Sequence, residues 1–504
     1  MALSNIYLLI FLPLVSSLLC QLFYKKKLPF FIALFCCILT FLLAIKIAFD
    51  VFLYEKIKND FDFSLISLAL EFRLDLLGII FILLLSFLKI VILFFYYFDI
   101  EKFLDEKNRR IFYSVYLLHL FSLIGILTTN NFLNLYLFFE IYAFSFFANL
   151  SISRDSNLLK LSFRYFCLNV ASSLLILFCF LSIYLIFGES NFDKVAENFA
   201  LISKSHTWFL AIIFLLLSIA FLIKFFPFWL YFEKLKNSSL IANFLVIDSL
   251  FIKTNVGIFL VLKFIYFFFG NSLIFGSFDF SSILIFLSIL LIFYSAIKLY
   301  QQKHLKFIAV YFCLNNLGFI LACLALQKIE SLEALFFYLL NFSLVNLLIF
   351  IFGSFLKRYF SSSSINKIWL IRKHHFLLVL PLKILVFFLS AFPLTLLFSA
   401  NWYLAYASFN LGFEAFLIVG IIISNLAYVS IALKLISAFF EPKIDESILQ
   451  TFDKKMPILG LKKYQFYLLS FWFLILTICV AAFASNLTND IALRFASYLL
   501  SNTI

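Results

Sequence analysis

Charge, glycine and proline are all scarce in this sequence, and each shortage excludes something. Only 13% of the 504 residues are Asp, Glu, Lys or Arg, where a soluble domain carries about a quarter, so water is not the main solvent of the folded chain. With 11 Gly and 7 Pro there are few places to turn or break, and the ones inside apolar runs stand out. No Gly-x-Gly-x-x-Gly loop is present, which removes the usual cradle for a nicotinamide or flavin. The eight cysteines are Cys20, Cys36, Cys37, Cys167, Cys179, Cys313, Cys323 and Cys479. All lie in apolar runs, with no Cys-x-x-Cys pair and no histidine beside them. They read as packing residues, and neither an iron–sulfur centre nor any other metal site is expected. The net charge of +13 is not a nucleic-acid footprint, because the basic residues sit in short loops between apolar runs.

What is abundant is hydrocarbon. The sequence is 65% hydrophobic with 77 Phe, and its mean hydropathy is +1.10. Runs of 18 or more apolar residues recur from end to end, each long enough to cross ~30 Å of bilayer core. Bounded by charged or turn-forming loops, they fall near 5–23, 28–52, 74–98, 112–129, 131–151, 165–188, 207–232, 239–262, 278–299, 305–326, 331–356, 376–404, 409–437 and 464–487. This predicts an all-α polytopic membrane protein of about fourteen spans, followed by a short amphipathic tail at 489–502. The first run has the length of a signal peptide, but no small-residue cleavage site precedes Lys25-Lys26-Lys27, so it reads as a membrane helix.

Loop charges orient these spans. Most of the 39 Lys and Arg fall in odd-numbered loops, among them Lys25–Lys27, Lys107, Arg109, Arg110, Lys303, Lys357 and Arg358. By the positive-inside rule those loops face the cytoplasm, and an even number of spans then puts both termini outside it. Five lysines fall inside apolar runs instead: Lys46, Lys89, Lys224, Lys253 and Lys383.

A repeat is visible in the prolines. Ile223-Lys224-Phe225-Phe226-Pro227-Phe228 lies in the seventh span and Ser390-Ala391-Phe392-Pro393-Leu394 in the twelfth, five spans later. Each Pro removes a backbone hydrogen bond at membrane depth, so Pro227 and Pro393 are expected to break their helices. Broken helices in corresponding positions of two halves point to an ion pathway.

Charged groups at that depth point the same way. Glu140 lies mid-span in Leu137-Phe138-Phe139-Glu140-Ile141-Tyr142, where a carboxylate costs several kcal/mol (about 3 on insertion scales) unless protonated or paired. Lys224 and Lys253 are similarly deep. A Glu–Lys pair that separates is a proton switch, since neutralising one partner shifts the other; a fixed structural ion pair is the alternative. Asp248 precedes Lys253 by five residues, about 500° of α-helical turn, which puts the two on different faces. Asp248 is then expected to pair with another helix or to bind water. His119 reads as either a titratable relay or a hydrogen-bonded packing residue. Lys383 lies near a cytoplasmic end, where it can snorkel, as Lys46 can.

At these residues the chain resembles the antiporter-like proton-conducting membrane subunits. These are chains L, M and N of bacterial NADH–quinone oxidoreductase, the large Mrp antiporter subunits and the membrane components of energy-converting hydrogenases, including hydrogenase-4 component B. Thr128-Thr129-Asn130-Asn131-Phe132-Leu133-Asn134 followed by Phe139-Glu140 is similar to the family's fifth-helix segment with its Trp-Glu. Ile223-Lys224 ahead of Pro227 and Trp229 resembles its Lys-x-x-x-Pro-x-His-x-Trp. Phe251-Ile252-Lys253-Thr254-Asn255-Val256-Gly257 through Lys263 resembles the eighth-helix lysine segment, and Leu305-Lys306 through Tyr311, Asn316 and Gly318 its Asp-Leu-Lys stretch. The chain departs from the family where both histidines after the seventh helix are missing, and where Asn401 stands at the ionisable position beyond the twelfth-helix prolines. Lys383 could substitute only from ~27 Å away along a helix.

The resemblance implies two inverted five-helix repeats, 112–268 and 269–437, between an N-terminal segment 1–111 and a C-terminal segment 438–504. It implies a proton-translocating membrane subunit of a complex I-type redox-driven pump in a bacterial inner membrane. Glu140 with Lys224 would be the switch and Lys253 the relay, with Asp248, Lys306, Lys383 and His119 as further relay candidates. It also implies membrane and peripheral subunits as partners, protons or Na⁺ as cargo, and no cofactor in this chain. An energy-converting hydrogenase subunit, an Mrp-type Na⁺/H⁺ antiporter subunit and a divergent non-pumping scaffold are the competing readings.

Overall fold

The computed structural model describes residues 2–23, 27–54, 56–61, 70–152, 156–202, 207–226, 244, 246–269, 274–275, 278–360, 363–365, 368, 376–409, 414–440 and 461–501. Nearly all of them are helical, as a backbone with no water to bond to requires: in hydrocarbon each N–H and C=O must be satisfied within its own segment. Twelve of the described helices are long and apolar enough to cross a membrane. They coincide with twelve of the fourteen spans read from hydropathy, and the chain is a polytopic all-α membrane protein. Of the other two, the twelfth breaks in the middle, and the last, over Leu461–Phe483, is followed by a 75° bend into a helix over the tail, Ser485–Ser501.

The structure divides into two compact units, Met1–Phe280 with Tyr498–Ile504, and Ser281–Ser497. The first contains α1 (Ala2–Leu22), α2 (Leu28–Tyr54), α3 (Leu76–Phe103), α4 (Glu106–Thr128), α5 (Phe132–Ile152), α6 (Ser156–Phe187), α7 (Phe192–Ile202), α8 (Thr207–Phe225) and α9 (Thr254–Lys263). Two π-helical turns, Asp248–Lys253 and Phe264–Phe269, flank α9. An antiparallel hairpin, β1 (Lys56–Phe61) with β2 (Leu70–Asp75), precedes α3 in the register Lys56↔Asp75. β3 (Ile274–Phe275) pairs with β4 (Phe278–Asp279). Hydropathy alone shows neither the hairpin nor the short helix α7.

Within this unit α3, α4 and α9 are enclosed by protein, whereas α1, α2, α5 and α6 turn Leu, Phe and Val side chains outward. Close approach is bought locally by glycine. A Cβ at Gly125 would lie 2.2 Å from the Phe138 ring, so α4 and α5 can touch as they do only without one.

The second unit runs through α10 (Phe280–Gln301), α11 (Leu305–Leu326), α12 (Ile329–Leu340), a π-turn at Asn341–Val345 and α13 (Asn346–Phe360). It continues with α14 (Phe376–Leu389), α15 (Leu396–Ser408), α16 (Glu414–Phe440), α17 (Leu461–Phe483) and α18 (Ser485–Ser501). Pro393 lies in the break between α14 and α15. Ala391 and Leu394 on either side of it adopt φ of 50° and 77°, the left-handed region that L-residues avoid. Thr395 then restarts the helix by accepting from the Phe398 N–H at 3.3 Å. Pro227 lies outside the described residues; α8 ends at Phe225 just before it.

Candidate functional site

In the first unit the helices bring six ionisable side chains into one series, five of them buried and Glu140 half-buried. Glu140 is on α5 and Lys224 on the last turn of α8. Their Oε1 and Nζ are 3.8 Å apart, with Lys224 enclosed and the Glu140 side chain 25% exposed. That distance is an ion pair without a hydrogen bond. The ammonium instead donates to Ser173 Oγ on α6 at 2.6 Å and lies 5.4 Å from the Phe139 ring centroid. Gly257 on α9 sets the position of α8, because a Cβ there would lie 2.7 Å from that of Phe225. The residue after Lys224 therefore rests directly on the α9 backbone.

Lys253 closes the first π-turn and is fully buried. It donates to Tyr165 Oη at 2.7 Å and stands 4.1 Å from that ring's centroid. Lys224 and Lys253 lie within Coulombic reach of each other.

Asp248 opens the same π-turn, and it and Lys253 bond different neighbours. Asp248 pairs with another helix, one of the two outcomes expected for it: Lys89 Nζ of α3 donates to its Oδ1 at 2.7 Å. The same Nζ is 2.7 Å from Nδ1 of His119 on α4, and that nitrogen is 3.7 Å from Asp248 Oδ2. His119 stacks on the Tyr142 ring at 4.5 Å and lies within Coulombic reach of Lys253. Sequence reading noted Lys89 only as an intramembrane lysine and did not join it to Asp248. Its only signal was depth.

A second charged cluster closes one end of this unit. Arg73 on β2 pairs with Asp193 in the first turn of α7 and stands 3.9 Å from Asp75. Asp75 caps α3 by accepting from the Gly78 N–H at 2.7 Å. Asn130 Nδ2 donates to Asp193 Oδ2 at 3.2 Å, Asn191 to Glu71, and Lys263 Nζ to the Thr129 carbonyl at 2.7 Å. Arg73 and Lys263, which hydropathy assigns to loops, are buried.

The second unit has a different interior. Lys306 is buried in the first turn of α11, with its stem against Gly353, where a Cβ would lie 3.0 Å from Lys306 Cγ. Beyond it the polar groups are mostly neutral. Asn315 donates to Ser295 Oγ and Ser424 Oγ at 2.9 and 3.1 Å and accepts from Tyr428. Asn341 donates to Asn316 at 3.3 Å. On α15, Asn401 accepts from Tyr338 Oη at 2.6 Å and donates to Asn425 Oδ1 at 3.0 Å. Lys383 on α14 is exposed, whereas Asn401 is buried.

The fold and this buried series define a polytopic membrane subunit with ionisable groups held at depth. Residues 129–427, more than half of the chain, match the family described as NADH:quinone oxidoreductase/Mrp antiporter, TM, and the chain belongs to that family. It is 26% identical to a putative antiporter subunit mnhA2 of Staphylococcus saprophyticus over 267 residues, which are 52% of this chain and 32% of that protein. It is 27% identical to NADH-quinone oxidoreductase subunit N of Pelagibacter ubique over 68% of this chain and 72% of that one. The match thus spans about a third of the length of the antiporter subunit. Among solved structures, a chain of the Mrp complex from Dietzia sp. superposes with a TM-score of 0.80 at 16% identity, covering 100% of this chain and 98% of that one. A chain of respiratory complex I from Thermus thermophilus gives 0.73 at 18%, covering 98% and 99%. The archaeal membrane-bound sulfane sulfur reductase gives 0.78 at 17%, covering 99% of both. At these identities the likeness is one of fold.

Proposed function

We propose that this chain translocates protons as one membrane subunit of a complex I-type redox-driven pump in a bacterial inner membrane. Electron carriers would reside in partner subunits and both termini would face away from the cytoplasm. The observation behind this reading is the loose contact of Glu140 with Lys224, in series with Lys253. Bringing an unpaired charge to such a position costs several kcal/mol, about 3 or more, so three of them on adjoining helices need a use. The pair has the character of a switch: the Lys224 ammonium already holds Ser173, so it can release Glu140 without losing its hydrogen bond. Lys253 then receives the displaced proton. In this reading the residues 112–268 and 269–437 are inverted repeats, with Pro227 and Pro393 marking corresponding breaks.

The test is proton uptake into liposomes containing the chain with the membrane partners it purifies with, driven by the complex's electron donor. Glu140→Gln and Lys224→Ala should each abolish uptake while the complex stays at normal abundance. Normal uptake in both rejects the switch, and loss of the complex in both favours a fixed ion pair. An Mrp-type antiporter role is the second reading, favoured by the antiporter subunits among the relatives. It requires uptake that follows an imposed Na⁺ gradient with no electron donor present.

A further inference from the structure

We propose that Lys89, His119 and Asp248 form a second proton-holding site, which exchanges its proton with Lys253. The inference rests on the translocation reading above and adds a station to it. Two of its three members, Lys89 and His119, lie before the 129–427 stretch that matches the family, and Asp248 lies within it.

The geometry makes the case. Lys89 Nζ is shared between Asp248 Oδ1 and His119 Nδ1, both at 2.7 Å. An ammonium donating to Nδ1 fixes the neutral imidazole with its hydrogen on Nε2. That Nε2 is buried and has no hydrogen-bond partner among the described residues, and a buried polar atom left so needs a reason. A purely structural ion pair between Lys89 and Asp248 gives none. Among the described residues several groups face the site: Cys37 from α2 lies within Coulombic range of Lys89, and Phe146 of α5 lies 6.1 Å from His119. The Tyr116 ring of α4 stands 4.1 Å from Lys89 Nζ, and its hydroxyl donates to the Lys89 carbonyl at 2.8 Å. Tyr142 of α5 stacks on His119, and Lys253 approaches from the π-turn.

One proton loads the site. When it arrives on His119 Nδ1, Lys89 keeps Asp248 Oδ1 and the new imidazolium N–H faces Oδ2, already 3.7 Å away. The Tyr142 face stabilises the imidazolium as a cation–π partner. His119 and Lys253 face the same Phe146 ring, at 6.1 Å and 5.8 Å from its centroid, so two positive charges there would repel and one excess proton is held by either, not both. No proton is lost: the one that leaves Lys253 is the one that charges His119.

The experiment measures donor-driven proton uptake in liposomes, with complex abundance, for Lys89→Gln/Asp248→Asn, His119→Gln and Glu140→Gln. The double variant removes both charges together and leaves no unpaired ion, so it is the tolerated way to erase the pair. We expect normal abundance and at least a tenfold loss of uptake in the double variant and in His119→Gln. Normal uptake in both overturns the site and makes Lys89–Asp248 a structural pair. If Glu140→Gln also keeps normal uptake, the translocation reading falls instead; loss in Glu140→Gln alone removes only this site. Should the variants fail to accumulate, ¹⁵N NMR of His119 decides, in a chain whose other four of the five histidines are Gln. An imidazole that changes protonation between pH ~5 and ~9 supports the site, and one that stays neutral throughout overturns it.

Discussion

Lys224 Nζ is 2.6 Å from Ser173 Oγ and 3.8 Å from Glu140 Oε1, so the hydroxyl and the carboxylate compete for one ammonium. Removing the competitor should tighten the ion pair. Ser173→Ala is expected to lower proton uptake severalfold with complex abundance nearly unchanged, since a single neutral hydrogen bond contributes about 1 kcal/mol. Uptake and abundance measured on the same membranes check this. Unchanged uptake would mean that Ser173 only packs.

Gly257 controls the same contact from below. A methyl there would meet Phe225 Cβ at 2.7 Å and the Phe226 ring at 2.9 Å; the ring can turn, but the Phe225 Cβ moves only with its backbone. Gly257→Ala should therefore push α8 off α9, lowering stability by about 1–3 kcal/mol as overpacking does and moving Lys224 away from Glu140. Thermal unfolding of the purified chain should drop by about 1–3 °C, as such an energy implies for a chain of this length, and uptake should fall with it. A variant with normal unfolding and normal uptake would show that the helices have room to spare.

How much of this was legible in the sequence follows from which physical signal each feature leaves. Span positions were, because a 30 Å hydrocarbon core demands uninterrupted apolar runs; twelve of them coincide with described helices. Glu140, Lys224 and Lys253 were visible because charge is costly there. Their partners were not: Ser173 and Tyr165 are ordinary residues in apolar helices, and nothing in one dimension says that α6 lies against both lysines. That Asp248 would pair with another helix was legible, but not that the partner would be Lys89. Arg73 and Lys263 were misread as loop charges, since burial in an ion-paired cluster looks from sequence like exposure in a loop. The short helix α7 was missed because eleven residues do not span a membrane.

The loop charges make an orientation testable. Lys303 and Lys367 fall in basic loops and Asn191 in a sparsely basic one, so reporter fusions after Lys303 and Lys367 should report cytoplasm and one after Asn191 the opposite side. The fusion at Asn191 is the informative one, since the Arg73–Asp193 cluster beside it gives that end a buried charge of its own. A cytoplasmic signal there would overturn the orientation.

Asn401 is the residue on which the second unit turns. Its amide is engaged at both ends: the carbonyl oxygen accepts from Tyr338 Oη at 2.6 Å and the amide nitrogen donates to Asn425 Oδ1 at 3.0 Å. The position thus suits a neutral donor–acceptor and is not an ionisable site left empty. Asn401→Leu keeps the branched shape but strands the buried Tyr338 hydroxyl, at about 1–3 kcal/mol, and leaves the half-buried Asn425 carbonyl without this donor, so it should destabilise the chain in thermal unfolding. Asn401→Lys keeps a donor to Asn425 and lets the Tyr338 hydroxyl accept instead, so it should be tolerated, and uptake should be preserved or raised if protons leave by α15. Lys383 is exposed and stands apart from this network, so Lys383→Ala should leave uptake unchanged. The opposite pattern, uptake indifferent to Asn401→Lys and abolished by Lys383→Ala, would move the exit to α14 and reject α15 as part of the path.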